Sequence, residues 1–148
     1  MGEIKSQLTK LNFSRNTGGS YINLDFTDLG EKLEAAQHHL DFMVLRDMLK
    51  YVPNKSGRLV EEIIDANNNA PEGVIFVYPT TLPYGHYQWE GMKYVWPEGM
   101  SPYKGGRKVM AFEPLNYPSN PNAEKHWDYA AIRDYKDRWI YELQKMFD

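Results

Sequence analysis

Residues 74–96, VIFVYPTTLPYGHYQWEGMKYVW, pass from an apolar run through a proline-broken turn into a ring-rich segment with no linker between them. Eight aromatics fall between Phe76 and Tyr103. That is too many large rings for an ordinary loop, and Pro79 and Pro83 argue against a central strand throughout. Packing of rings, more than ladder hydrogen bonds, is therefore expected to hold this backbone. Gly73 to Tyr78, GVIFVY, is β-branched and aromatic and is closed by Pro79, which predicts a core strand. Tyr84 to Gly91 is expected to make one helical turn, because Tyr84, Tyr87 and Gln88 share a side. Met92 to Trp96 and Lys108 to Phe112 read as two further strands. Their joins are too short for parallel crossovers, so the three predict an antiparallel meander.

Upstream, Asn16 to Ser20 is a turn-rich cluster, and residues 1–20 are expected to be a loosely ordered arm. Tyr21 to Phe26 alternates apolar and polar positions as a half-buried edge strand does. From Thr27, expected as the N-cap, the period becomes helical: Leu29, Leu33, Ala36, Leu40, Val44 and Met48 recur at three- and four-residue spacing up to about Tyr51, where Pro53 ends the helix. Arg58 to Ala66 fits either a short helix or a strand, with a helical turn that becomes extended as the favoured reading. Downstream, Pro114, Pro118 and Pro121 predict an extended connection. A last helix is expected from about Ala123 to Phe147, capped by Asn122, with Trp127, Ala131, Tyr135, Trp139, Leu143 and Met146 as its apolar stripe. The order predicts an α+β fold: a small antiparallel sheet of three to four strands packed by a long helix in the N-terminal half and a C-terminal helix. Residues 21–148 are expected to be one domain.

Bulk properties narrow the function. The 148 residues suit a single core, and with hydrophobic residues at 42% and charged residues at 25% the chain reads as soluble and globular. Aromatics at 14% imply a core rich in Tyr and Trp, whose polar atoms need partners. A net charge of −3 argues against affinity built on neutralising many phosphates. The basic cluster Lys104, Arg107 and Lys108 reads as a solvated loop. The chain has no cysteine, which removes thiolate metal sites and cysteine nucleophiles. No run approaches the roughly 20 apolar residues of a membrane span, and the N-terminus lacks a secretory h-region, so synthesis and use without export are expected.

No strong catalytic signature is present. His38 and His39 are adjacent, about 100° apart on a helix, and do not chelate one ion together. His86 and Glu90 have the i, i+4 spacing, with His126 a third donor from the last helix, yet hydrogen bonding explains Glu90 better than a metal does. Glu90 with Glu98 or Glu113 is a carboxylate pair of the type that cleaves sugars, and the rings from Tyr84 to Tyr103 suit sugar stacking. The plainer reading has the aromatics cover the helices and leaves Glu61, Glu62, Glu98 and Glu113 solvated. Gly18-Gly19 and Gly105-Gly106 lack the strand-to-helix context of phosphate loops. We therefore expect no catalytic residue, no cofactor and no metal, and read the exposed share of the rings as an interaction surface.

Three blocks in order carry a family resemblance. The first is Tyr51-Val52-Pro53 with Ser56-Gly57-Arg58-Leu59 at the end of the long helix. The second is Pro83-Tyr84, Tyr87 and Glu90-Gly91, and the third is His126-Trp127 with Trp139 further along the last helix. Together they resemble the minor capsid, head-tail joining (tail-completion or neck) proteins of tailed bacteriophages with long non-contractile tails, over about residues 24–140. Gly85 stands where that family usually has Ala. Asn54-Lys55 replaces its acidic approach to the Ser/Thr-Gly, and the loop around residues 99–106 differs.

The resemblance implies a non-enzymatic virion structural protein at the neck. It would be made in the host cytoplasm and would join portal or connector to tail as a homo-oligomeric ring beside neighbouring neck proteins. Genomic DNA would pass nearby without specific contact, and no membrane is involved. A tail terminator or a head-completion stopper is the nearest alternative, and a carbohydrate-binding or carbohydrate-cleaving domain the distant one. Pro53, Gly57, Leu59, Tyr84, Tyr87, Glu90, Gly91, His126, Trp127 and Trp139 are the motif or interface residues it singles out.

Overall fold

The computed structural model describes Lys10 and residues 12–148, and their fold is α+β. Strands β1 (Phe13–Thr17) and β2 (Ser20–Leu24) precede the long helix α1 (Thr27–Leu49). Helices α2 (Arg58–Asn68) and α3 (Pro83–Glu90) follow, then β3 (Met92–Val95), a short 3-10 turn (Pro102–Lys104), β4 (Val109–Pro114) and helix α4 (Trp127–Lys145). No described helix is long and apolar enough to cross a membrane. By contact density the chain forms two compact units. One takes residues up to Met43 with Pro71–Val74 and Asp137–Asp148; the other takes Val44–Ala70 and Ile75–Lys136.

In the first unit β1 and β2 form an antiparallel hairpin with Thr17 opposite Ser20. Gly18 and Gly19 both have positive φ, 56° and 87°, the geometry that a two-residue turn needs to follow strand twist. The turn expected at residues 16–20 is thus present, but over residues 13–20 it joins two strands and is no loose arm. Residues 1–9 and 11, the rest of the expected arm, lie outside the described residues. The cap of α1 also differs from expectation. Thr27 is the first helical residue, and its N–H and hydroxyl both donate to the Asp25 carboxylate. Asn12 reinforces the corner, its side chain accepting from Phe26 N–H and donating to Asp25. These Thr27 bonds hold the Asp25 carboxyl below its ordinary value. Ala36, Met43 and Trp139 form the buried apolar part of this unit.

The second unit is built around Met48, Val52, Leu59, Ile63, Leu82, Trp127, Ala130 and Ala131, all buried. Asp47 is buried among them and is neutralised by Arg46 and by Lys50, whose Nζ lies 2.7 Å away. Here the end of α1 meets the first turns of α4. Lys50 Nζ donates to the Tyr135 hydroxyl at 3.1 Å, Tyr51 donates to Asp134, and the Tyr51 and Tyr135 rings meet edge to face.

Three sequence expectations are corrected here, two of them by partners outside the segment itself. Residues 73–78 are not a strand. The Asn67 side-chain amide takes the role of a neighbouring strand for Phe76, accepting from its N–H at 2.8 Å and donating to its carbonyl at 2.9 Å. Trp127 Nε1 donates to the Val77 carbonyl. With those groups satisfied, the segment has no need of a ladder. The meander therefore reduces to one antiparallel pair, β3 with β4. The described residues hold two two-stranded antiparallel sheets in place of one sheet of three or four strands. Arg58–Asn68 is helical throughout, with no extended end. Finally, α4 begins at Trp127 and not near Ala123. Glu124 N–H donates to the Tyr51 carbonyl and His126 N–H to the Trp89 carbonyl, so the backbone of 123–126 is spent on other elements before the helix can start.

Candidate functional site

The first two sequence blocks converge in the second unit on one groove of about 740 Å³. Pro53, Ser56, Gly57 and Leu59 form one side, and Tyr84 and Gln88 of α3 another. Residues 116–119 of the proline-rich connection close the third side. Each wall has a local cause. Pro53 ends the chain's run out of α1 and is buried. Gly57 sits before α2 with φ 78°, a left-handed conformation that a side chain resists, and Leu59 anchors the first turn of α2 in the core. Asn120 clamps the corner, its amide donating to the carbonyls of Lys50 and Val52 at 3.0 Å each. The Ser119 hydroxyl accepts from Asn54 N–H.

Tyr117 was not singled out in the sequence, yet it ties this wall to α3 by donating from its hydroxyl to the Gln88 carbonyl at 2.6 Å. Burial pushes its phenol up to about 12. Nothing in the period of a proline-rich connection marks such a residue. Its position is legible only once Gly91 is seen. Gly91 ends α3 with φ 72°, and a Cβ there would fall 3.1 Å from the Tyr117 hydroxyl and 2.5 Å from Lys125 Cβ.

Behind the groove the second block continues into a ring cluster that the third block completes. Tyr78, His86 and Trp89 are in mutual contact, and Trp89 meets His126 with centroids 4.4 Å apart. Trp89 Nε1 donates to Asp128 at 2.7 Å in the first turn of α4. His126 adopts φ 50°, a conformation uncommon for a residue with a side chain, and its ring also meets exposed Tyr129 edge to face. Trp127 is fully buried, whereas Trp139 is buried in the first unit and does not belong to this cluster.

The remaining motif residues divide by exposure. Tyr87 is half-buried and stacks on Tyr94 at 4.2 Å. Glu90 accepts from the Tyr94 hydroxyl, which raises the Tyr94 phenol, and lies 3.5 Å from His86 Nε2. The His86 Nδ1 in turn meets the Tyr78 hydroxyl at 3.2 Å. Glu113 pairs with Lys93. Of the rings on α3, Tyr84 is the exposed one, at 37%.

A second exposed patch lies on the β3–β4 hairpin. Pairing shifts between Met92/Pro114 and Tyr94/Met110, so β4 carries extra residues there. Phe112 stands in that irregularity with φ 57° and 81% exposed, and Tyr103 on the connecting loop is 98% exposed. A bulky residue at positive φ in a strand is a cost that folding alone gives no reason to bear. Lys104, Arg107 and Lys108 are exposed on the same loop. Comparison of the chain with protein-family models, curated proteins and solved structures found no match.

Proposed function

We propose that this protein is a non-enzymatic structural protein of the phage virion, placed at the neck and joining head to tail as a ring-like oligomer. The observation that carries this reading is the convergence of the sequence blocks. Pro53, Gly57, Leu59 and Tyr84 share one groove, and His126 holds the back of the same helix through Trp89. A motif set of which four members line one docking groove, with Gly57 turning the chain at its edge, is what an assembly subunit needs.

The exposed rings support the same role. Phe112, Tyr103 and Tyr129 are large aromatics held outside the core, the residue types that desolvated interface anchors favour. Groove and hairpin are different patches, so a contact of one with the other on the next copy is heterologous and generates a ring when its rotation closes. The net charge of −3 keeps the free subunit soluble and limits adhesion to DNA in a channel.

Light scattering and negative-stain imaging of the purified protein, alone and mixed with portal rings or tail tubes, test the proposal. Rings, or incorporation at the portal or tail-tube end, are expected, and the end that recruits the protein separates a connector from a tail terminator. A strict monomer that joins neither particle, or one that instead binds oligosaccharide, overturns it.

A further inference from the structure

We propose that Glu34, His38 and Glu72 form a binding site for a divalent transition-metal ion of the zinc type, in the first unit and independent of the groove. Glu34 and His38 are one turn apart on α1, the i, i+4 spacing that puts two side chains on one face. Glu72 comes from the loop before residue 73. One ligand atom from each of the three lies within 4.8 Å of the others. Among the described residues this is the one group of three or more His, Asp or Glu side chains so arranged.

Two further observations point to a ligand. Glu72 Oε1 is buried and accepts no hydrogen bond, the one such side-chain atom among the described residues. It lies 3.8 Å from His38 Nε2, too far for a hydrogen bond and slightly wider than the edge of about 3.3 Å between two donors on one tetrahedral zinc ion. A buried carboxylate oxygen with no donor is costly, and a cation between it and the imidazole removes the cost.

The loop is also held in place by the same helix face. Asp41 accepts from Gly73 N–H at 2.9 Å and from Gln37 Nε2 at 2.8 Å. Gly73 has φ 78°, and a Cβ there would lie 3.5 Å from the Gln37 side chain. Positions 34, 37, 38 and 41 thus form one stripe of α1. Two of them, 37 and 41, position the loop, and the other two are ligands facing Glu72. Supporting bonds of this kind are what hold a ligand set in register.

The donor set selects the ion. One imidazole and two carboxylates suit zinc and its first-row neighbours, with a position left for water. They are too few oxygens for calcium, and the chain has no thiolate for copper(I).

Equilibrium dialysis against zinc, and visible absorption of the cobalt(II)-loaded protein, test the site on the full chain. One ion per chain is expected. His38→Ala and Glu72→Gln should each weaken binding by about tenfold or more, and the zinc-dependent rise in Tm should vanish with it. His39→Ala and His86→Ala should bind as the parent does. Glu72→Gln is close to isosteric, so it decides the matter if His38→Ala folds poorly. No binding by the parent, unchanged affinity in Glu72→Gln, or loss only in His86→Ala overturns the proposal.

Discussion

Gly91 and Gly85 lie six residues apart around the same helix, and only Gly91 is held to glycine by its surroundings. At Gly91 the backbone is left-handed and Lys125 Cβ lies 2.5 Å from where a Cβ would stand, so both conformation and space exclude a side chain. Gly91→Ala should cost at least about 1–2 kcal/mol from backbone strain alone, read from urea unfolding. At Gly85 the nearest atoms to a Cβ are 3.5 Å away, on Pro79 and Tyr78, which is ordinary contact. Gly85→Ala should therefore stabilise the protein, by up to about 1 kcal/mol, through helix propensity. Trp127 and Tyr84 give a second contrast. Trp127 is fully buried with its indole N–H bonded to Val77, and Trp127→Ala should cost about 3–5 kcal/mol. Tyr84→Ala should leave unfolding nearly unchanged while reducing assembly in the light-scattering assay. Tyr87 is the poorer probe of a surface, because its stack on Tyr94 mixes folding with contact.

Elements in this protein are joined by side chains that stand in for backbone. Asn67 serves both polar groups of Phe76, so Asn67→Ala leaves a donor and an acceptor without it and should cost about 1–3 kcal/mol. The same substitution made to the neighbouring exposed Asn68 should be close to neutral. At the junction of α1 with α4, Arg133 and then Tyr51 hold the Asp134 carboxyl well below the usual carboxylate range, and Arg133 also lowers Glu124. A lowered folded value means that this contribution is complete well above the unfolded value of about 3.9, fades as pH falls below it and is lost as pH falls through the folded value. Stability should thus decline below about pH 5, and Asp134→Asn should flatten that acid slope in unfolding curves measured across pH. The partners are exposed, so the slope is shallow and salt-sensitive. Burial, followed by Asp134, pushes Tyr51 up to about 12. Its contribution has the opposite sense, being present below pH 10 and fading above it.

For the molecule as a whole, the proposed ring depends on rings of side chains that the fold leaves uncovered. Replacing Tyr103 and Phe112 together by Ser should abolish oligomers, or incorporation into particles, without lowering the urea midpoint, since neither is part of the buried core. A fall in stability equal to the fall in assembly would instead assign them to folding. Much of the architecture was legible without coordinates. The α+β class, the extent of α1, the glycine turn after Asn16 and the stripe Trp127, Ala131 and Trp139 follow from period, turn chemistry and proline, which act over a few residues. The Glu34 and His38 spacing was equally open to inspection, but its meaning needed Glu72, which lies 34 residues beyond His38. The sequence by itself therefore determined the helices, the turns and which rings are large enough to matter. Tertiary structure alone decided that GVIFVY is no strand, that α4 starts at Trp127 and that Pro53, Gly57, Leu59 and Tyr84 line one groove. The physical reason is common to all three: their backbone groups are satisfied by Asn67, Trp127, Tyr51, Trp89 and Tyr117, partners that no local pattern encodes.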